Sequence, residues 1–262
     1  MRRFLREFLL FGVKQANACL FAGTFLFLVI VTHFWYPLQV LSRYDFLFVA
    51  AVLLQIVLLA TRLEGWRDAL VILVFHVVAM GMEVFKTSDA IGAWHYPGEA
   101  ALRIGNVPLF AGFMYSAVGS YISRVWNLFD FRYRDFPPLW LMFTLSGLIY
   151  ANFFTHHFLP DIRWLLLLAI AWSMRRTLVY FRIEQVHRYM PLLLGLALVA
   201  LFIWFAENIA TYCQVWFYPS QQHGWTVVSP QKISAWLLLM FISFTLVAAV
   251  RTVRDLDEER SL

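Results

Sequence analysis

Charge is what this chain has least of. Only 14% of its 262 residues are Asp, Glu, Lys or Arg, while 61% are apolar, and the mean hydropathy is +0.68. A soluble domain of this length carries a much larger polar coat, so a soluble globular fold is excluded. Cysteine is scarce too, at two residues. Cys19 is expected near the inner end of the first span and Cys213 near the outer end of the seventh. At about 1.5 Å of rise per residue they stand roughly 20 Å or more apart in depth, and no disulfide is expected. There is no Gly-rich phosphate loop and no nucleophile elbow, which removes nucleotide-driven transport and ordinary serine hydrolysis. The seven His form no His-x-x-x-His or His-x-x-Glu-His pair, so no metal site is assigned and no cofactor is specified. A mixed site from the outer His33, His95, His156, His157 and His223 with Asp89, Glu99 or Asp161 is the minor alternative. The net charge of +5 sits beside apolar runs rather than in a basic patch, so nucleic acid is not expected as a partner.

What is present is a series of apolar runs about 17 to 22 residues long, the length that crosses roughly 30 Å of hydrocarbon. They fall near 16–35, 45–61, 69–87, 107–123, 138–156, 162–181, 191–213 and 232–250. The expected fold is all-α, a polytopic transmembrane helical bundle of eight spans. With the N-terminus inside, 16 of the 21 Lys and Arg fall on the inner side. Only Arg43, Lys86, Arg103, Arg163 and Lys232 are left outside. An odd number of spans breaks that alternation, so both termini are expected in the cytoplasm and the protein in the inner or plasma membrane. The first apolar run is too long for a signal peptide and no small-residue cleavage site follows it. Ahead of it, Phe4, Leu5, Phe8, Leu9 and Phe11 recur at helical spacing opposite Arg2, Arg3, Arg6 and Lys14. That pattern predicts an interfacial helix over 1–15. Residues 251–262 read as a solvated cytoplasmic tail.

The two halves of the chain echo each other. Glu83, Thr87, Trp94, Tyr96 and Pro97 reappear as Glu207, Thr211, Trp216, Tyr218 and Pro219, at an offset of 124 for the first two and 122 for the rest. The offset of 124 also carries His33 onto His157. Four spans thus read as repeated, over 16–126 and 138–250, as parallel repeats about an axis along the membrane normal. Such an axis brings Glu83 and Glu207 together in the outer half of the bilayer, with His33, His156 and His157 at the outer ends of spans one and five.

A carboxylate inside a span costs at least about 2.5 to 3.5 kcal/mol and normally has a partner or a role. The bland alternative for Glu83 and Glu207 is a structural carboxylate bonded to Thr87 or Thr211 four residues on, with Lys86 neutralising Glu83. Asn152 and His156 share a helical face at the outer end of span five. His76, near the middle of span three, reads as a helix-to-helix hydrogen-bond partner. The Trp94, Tyr96, Trp216 and Tyr218 groups suit an aromatic belt as well as a binding site.

The runs His76-x6-Glu83-Val84-Phe85-Lys86, Trp94-His95-Tyr96-Pro97, Val107 through Tyr115, Ala151 through His157, and Ala206 through Thr211 resemble a bacterial multi-pass membrane family known as domain of unknown function 817. The resemblance covers the chain from about span three onward and implies no activity. A shorter stretch, Glu83, then Gly92-x-Trp94-x-Tyr96, then Gly105-x-Val107-Pro108-Leu109, is similar to membrane carotenoid hydratases and cyclase-like proteins. That likeness implies acidic residues protonating a polyene, and it tilts expectation toward isoprenoid or lipid chemistry.

The leading expectation is a membrane-embedded enzyme acting on a lipid or isoprenoid substrate. Glu207 and Glu83 are the acid and base, with His33, His156 and His157 tuning them. Asn152, Thr87, Thr211, Trp94, Tyr96, Trp216 and Tyr218 are the expected substrate contacts, and membrane lipids the expected partners. The first alternative is a transporter or channel, which requires a polar path to the cytoplasm. The inner halves offer only Asn17, Gln55, Ser120 and Ser173 for one. The second is a structural membrane protein. The oligomeric state is left open.

Overall fold

The computed structural model describes residues 2–251, so the expected tail over 251–262 lies, but for Arg251, outside the described residues. The chain is mostly helical. In order come α1 (Arg2–Ala18), α2 (Leu20–Phe34), α3 (Arg43–Ala60), α4 (Trp66–Lys86), α5 (Ala111–Leu128), α6 (Leu139–Thr155), α7 (Arg163–Ser173), α8 (Leu192–Tyr212) and α9 (Lys232–Val250). Four of them, α3, α4, α8 and α9, are long and apolar enough to cross a membrane, and α1 with α2 makes a fifth if that pair, bent by 71°, is one span.

The outward face of this bundle is apolar. Leu73 on α4 and Phe202 on α8 are 58% and 69% exposed, consistent with helices that face hydrocarbon. α5 is the exception that the packing explains. It carries Ser116, Ser120, Ser123 and Arg124, all buried, because it is enclosed by α1, α2, α4 and α9 and has little contact with lipid. α4 runs along α5 and α8 along α9; α2 packs on α5 and α8, α6 packs on α9 and α4, and α5 and α9 meet at the centre. The bend at Cys19 has a local cause. The Arg124 guanidinium donates to the Asn17 carbonyl at 3.0 Å and side chain at 2.6 Å and holds the end of α1 against α5.

The fold departs from all-α. β3 (Arg132–Arg134), β4 (Leu178–Arg182) and β5 (His187–Pro191) form an antiparallel sheet in the order β3-β4-β5. β1 (Arg103–Ile104) pairs with β2 (Val107–Pro108) in a small hairpin. The span expected over 162–181 is corrected accordingly. Its helix, α7, is 11 residues long, about 16 Å at roughly 1.5 Å per residue. Leu178-Val179-Tyr180-Phe181 then leaves as β4, because β-branched and aromatic residues pair with Tyr189 and Met190 across the sheet. The start expected at 107 moves to Ala111 because Val107-Pro108 closes the β1–β2 hairpin. The sheet and α1 share one end of the bundle, tied by Lys14 donating to the Leu128 and Arg182 carbonyls at 2.8 and 2.9 Å.

At the other end, the first turn of α3 staples two long loops, 87–110 and 213–231. The Tyr44 hydroxyl donates to the Val215 carbonyl at 2.7 Å and accepts the Gly98 N–H at 3.1 Å. Asp45 accepts the N–H groups of Ala101 and Leu102, both at 2.8 Å. Arg43 donates to the Cys213 carbonyl at 2.9 Å. A Cβ on Gly98 meets ring atoms of Tyr44 at 2.6 and 2.7 Å, and that ring is pinned between Phe110 and Tyr96. Gly98→Ala is therefore expected to destabilise the protein by about 1 to 3 kcal/mol, the usual cost of overpacking. Thermal unfolding in detergent reads this directly, and an unchanged midpoint contradicts the staple.

Candidate carboxylate site

Each of the two expected carboxylates sits in a cage of aromatic donors. Glu83, in the last turn of α4, is 1% exposed. Its Oε2 accepts the Trp94 indole N–H at 2.9 Å and the Tyr96 hydroxyl at 2.8 Å, and its Oε1 accepts the Tyr115 hydroxyl at 2.5 Å. Glu207, at 3% exposure on α8, accepts Tyr218 on Oε1 at 2.5 Å and the Trp236 indole on Oε2 at 2.8 Å. Burial and the adjoining carboxylates push the phenols of Tyr96 and Tyr218 well above the ordinary tyrosine range, so both remain donors.

The two cages adjoin. His95 and Phe217 exchange backbone hydrogen bonds in an antiparallel bridge, both at 3.0 Å. Around it the rings of Trp94 and Tyr218 stand edge to face at 6.3 Å, and those of Tyr115 and Trp236 are 6.2 Å apart. One donor of each carboxylate thus touches a donor of the other, at both levels of the site. The ammonium of Lys232, first residue of α9, lies over the Tyr218 ring at 4.1 Å and the Trp94 ring at 5.7 Å, a cation–π arrangement.

The histidines go elsewhere. His156 and His157, with ring centroids 4.0 Å apart, approach the Lys86 ammonium through Nε2 at 3.2 and 3.0 Å, not the carboxylates. Nδ1 of His156 lies 2.8 Å from the Asn152 carbonyl. That places its proton on Nδ1 and leaves Nε2 to accept from Lys86. Lys86 therefore spends its hydrogen bonds on imidazoles and does not neutralise Glu83 directly, as a helical neighbour at three residues was expected to.

Other expected contacts are local. His33 stands against Tyr212, ring centroids 6.0 Å apart, and makes no hydrogen bond to either carboxylate. The Thr87 hydroxyl bonds the Glu83 backbone carbonyl at 2.9 Å rather than its side chain. Thr211 donates to the Asn208 carbonyl and accepts the Trp225 indole, both at 3.1 Å. Trp216 is buried in an apolar cluster against which Tyr218 packs, and its expected place at the carboxylate is taken by Trp236. Asn152 bonds Asp161 at 3.1 Å and the Ile162 N–H at 3.2 Å, shaping the turn into α7. Partial burial opposes the ionisation of Asp161, but bonds from Asn152 and Arg163 outweigh it and hold its carboxyl below the usual range.

Tyr115, Trp236 and Lys232 were not singled out from the sequence. The first two had a signal, since they stand 121 residues apart and continue the echo of the two halves. Among the described residues no group of three or more His, Cys, Asp or Glu side chains is arranged to hold a metal ion.

Residues 7–244 match a family model described as "Protein of unknown function (DUF817)". The chain is similar to the Uncharacterized protein YoaT of Bacillus subtilis (strain 168), with 37% identity over 253 residues that cover 97% of this chain and 95% of that protein. No solved structure matches it. Neither match supports the likeness to carotenoid hydratases.

His157, just beyond α6, yields a pH prediction. Burial, then the charge of Lys86 and the neighbouring His156, lower it from the ordinary 6.5 to about 4. The folded protein thus binds one proton fewer than the unfolded chain between those values. Stability held above pH 6.5 is lost as pH falls toward 4. Thermal unfolding followed over that window should show this slope flattened in His157→Gln, and an equal slope in both proteins rules the assignment out.

Proposed function

The chain belongs to the family described as protein of unknown function DUF817, and from its carboxylate site we propose a membrane-embedded enzyme acting on a lipid or isoprenoid substrate. In this reading eight spans cross the inner or plasma membrane with both termini cytoplasmic, as two parallel four-span halves, 16–126 and 138–250. The matched neighbours support the halves: α2 on α8 answers α6 on α4, with α5 against α9 between them. A two-fold axis makes equivalent residues meet, and the antiparallel bridge between His95 and Phe217, 122 apart, is such a meeting. The α1 helix then lies in the cytoplasmic interface. The β3-β4-β5 sheet, with Arg132, Arg134, Arg182 and Arg188, lies at inner headgroup depth, completing what the short α7 cannot span.

One observation carries the enzyme reading. Tyr115 donates its hydroxyl to Glu83 while its ring lines a narrow apolar crevice between α4, α5, α6 and α9, with Val78, Ala79, Met82, Tyr150 and Leu239. The crevice holds only about 10 Å³, so it offers an apolar face for a lipid to lie against rather than a pocket that encloses a chain. A proton shared between carboxylate and phenol can be exchanged with a lipid substrate that approaches this apolar face, and Glu207 with Tyr218 repeats the arrangement across the proposed axis. Transport is the second reading. It draws on a buried inner cluster in which Gln55 donates to Glu64 at 2.7 Å, Ser120 also donates to Glu64, and Arg124 holds Asn17 and Leu63. Three of the four inner polar residues are thereby gathered into one place.

Lipid and isoprenoid profiles of cells with and without the protein decide between them. The enzyme reading expects one lipid species to change on deletion and to change alike in Glu207→Gln and Tyr115→Phe. The turnover of these variants falls about 100-fold or more, as loss of a general acid or base does. Unchanged profiles in the deletion strain, with the wild-type protein at normal abundance, overturn it.

A further inference from the structure

At the end of the bundle that carries the β3-β4-β5 sheet, a cavity of about 640 Å³ opens between the first turn of α4 and the last turns of α5 and α9. Small-molecule sites run from roughly 300 to 1,000 Å³, so an organic ligand fits. Part of the wall is apolar, from Trp126, Phe131 and Val250. The Trp126 ring is fixed by Tyr133 and Phe244, with centroids at 5.0 and 5.7 Å.

The polar part of the wall is short of acceptors. Its two carboxylates, Asp68 and Asp130, are engaged within the protein. Asp68 accepts the Gly65 N–H at 3.0 Å and the Arg251 guanidinium, and Asp130 lies 3.3 Å from Arg182 and 3.9 Å from Arg132. The Asn127 side-chain oxygen also accepts from Arg251.

Donors, by contrast, are left over. Trp126 is only 6% exposed, yet among the described residues its indole N–H makes no hydrogen bond. The Arg251 Nε is buried and equally unpartnered. Arg67 is exposed on the cavity wall and forms no ion pair among the described residues. Gly65, at the N-cap of the 21-residue α4, has no side chain to cap it. The N–H groups of Trp66 and Arg67 therefore have no acceptor in the helix, at its positive end.

We infer that this cavity binds an organic anion, a carboxylate or phosphate group on an aromatic or apolar body. The anion lies at Arg67 and the start of α4, and the body lies against Trp126, Phe131 and Val250. An ionised oxyanion only accepts hydrogen bonds, which is what a wall with surplus donors requires. A cation meets Arg67 and Arg251 with both carboxylates already engaged. A soluble acid and an anionic lipid share this chemistry. The inference is independent of the proposed reaction, because no residue of the carboxylate site lines the cavity.

The test is equilibrium dialysis of the full-length protein in phosphatidylcholine nanodiscs, with empty nanodiscs subtracted, using naphthoate and its neutral analogue naphthamide. Naphthoate should bind at least about tenfold more tightly than naphthamide. Arg67→Gln should weaken naphthoate about tenfold and leave naphthamide unchanged, while Trp126→Phe, which keeps a ring and removes the N–H, should weaken naphthoate about threefold. Val250→Trp, which fills the cavity, should abolish binding of both. Loss of naphthoate affinity when phosphatidate is added to the nanodiscs supports the site with a lipid as its source, and an unchanged affinity supports it with a soluble acid. Equal affinities for naphthoate and naphthamide overturn the anion site. Wild-type affinity in both Arg67→Gln and Val250→Trp overturns its location. No retention of naphthoate by a protein that unfolds at its normal temperature overturns the inference as a whole.

Discussion

A carboxylate held below the surface of a membrane protein has to be enclosed by donors, and much of the outer architecture follows from meeting that demand twice. Removing an ion from water costs several kcal/mol, and a hydrogen bond to a charged group returns about 1.5 to 3 kcal/mol. Three donors on Glu83 and two on Glu207 are on the scale required. The donors cannot come from α4 or α8, whose next residues turn away along the helix. Loops 87–110 and 213–231 therefore double back to deliver Trp94, Tyr96 and Tyr218, and the first turn of α3 fixes both loops through Tyr44, Asp45 and Arg43. The remaining donors, Tyr115 and Trp236, come from α5 and α9, the two helices that meet at the centre.

Hydropathy located the helices well where lipid is the solvent. The run read over 232–250 is α9 residue for residue, and 191–213 differs from α8 by one residue at each end. It failed at 174–181 because hydrophobicity averaged over a window does not distinguish a period of 3.6 from a period of 2, and Leu178-Val179-Tyr180-Phe181 is as apolar as a helix end. The echo between the halves found Glu83, Glu207, Trp94, Tyr96 and Tyr218. It passed over Tyr115 and Trp236 because what those positions share is an O–H or N–H aimed at a carboxylate, not a residue type. The echo also set His33, Thr87 and Thr211 beside the carboxylates, and a helical face shared with His156 set Asn152 there, which fixes their depth. Depth fixes how far along a span a side chain lies, while the direction it faces depends on neighbours that only the fold supplies.

The lysines illustrate the same point with opposite sign. From the sequence, Lys86 stands three residues after Glu83 and reads as its counter-ion. In the fold its ammonium meets His156 and His157, because the end of α6 packs beside the end of α4, and aromatic donors already occupy the carboxylate. Lys232 likewise makes no direct ion pair among the described residues: it lies over the Tyr218 and Trp94 rings, within electrostatic reach of the Glu207 and Glu83 carboxylates.

Where the halves differ is as informative as where they agree. At the end of the bundle near the β3-β4-β5 sheet, α5 carries Ser120, Ser123 and Arg124, and the positions 121 further on along α9 are Phe241, Phe244 and Thr245. Glu64 likewise has Arg188 at an offset of 124. At the carboxylate end, by contrast, carboxylate, Tyr-Pro loop and central donor recur in both proposed halves. On the two-half reading, a path conducting through the centre needs polar side chains from both halves at every depth. The cluster of Gln55, Glu64, Ser120 and Arg124 comes from one half alone, and it ties α1, α3, α5 and the turn between α3 and α4 together. Its bonds to the Asn17 and Leu63 carbonyls are those of a brace at a helix bend. The matching chemistry is confined to the carboxylate end, and the proposed reaction needs nothing more.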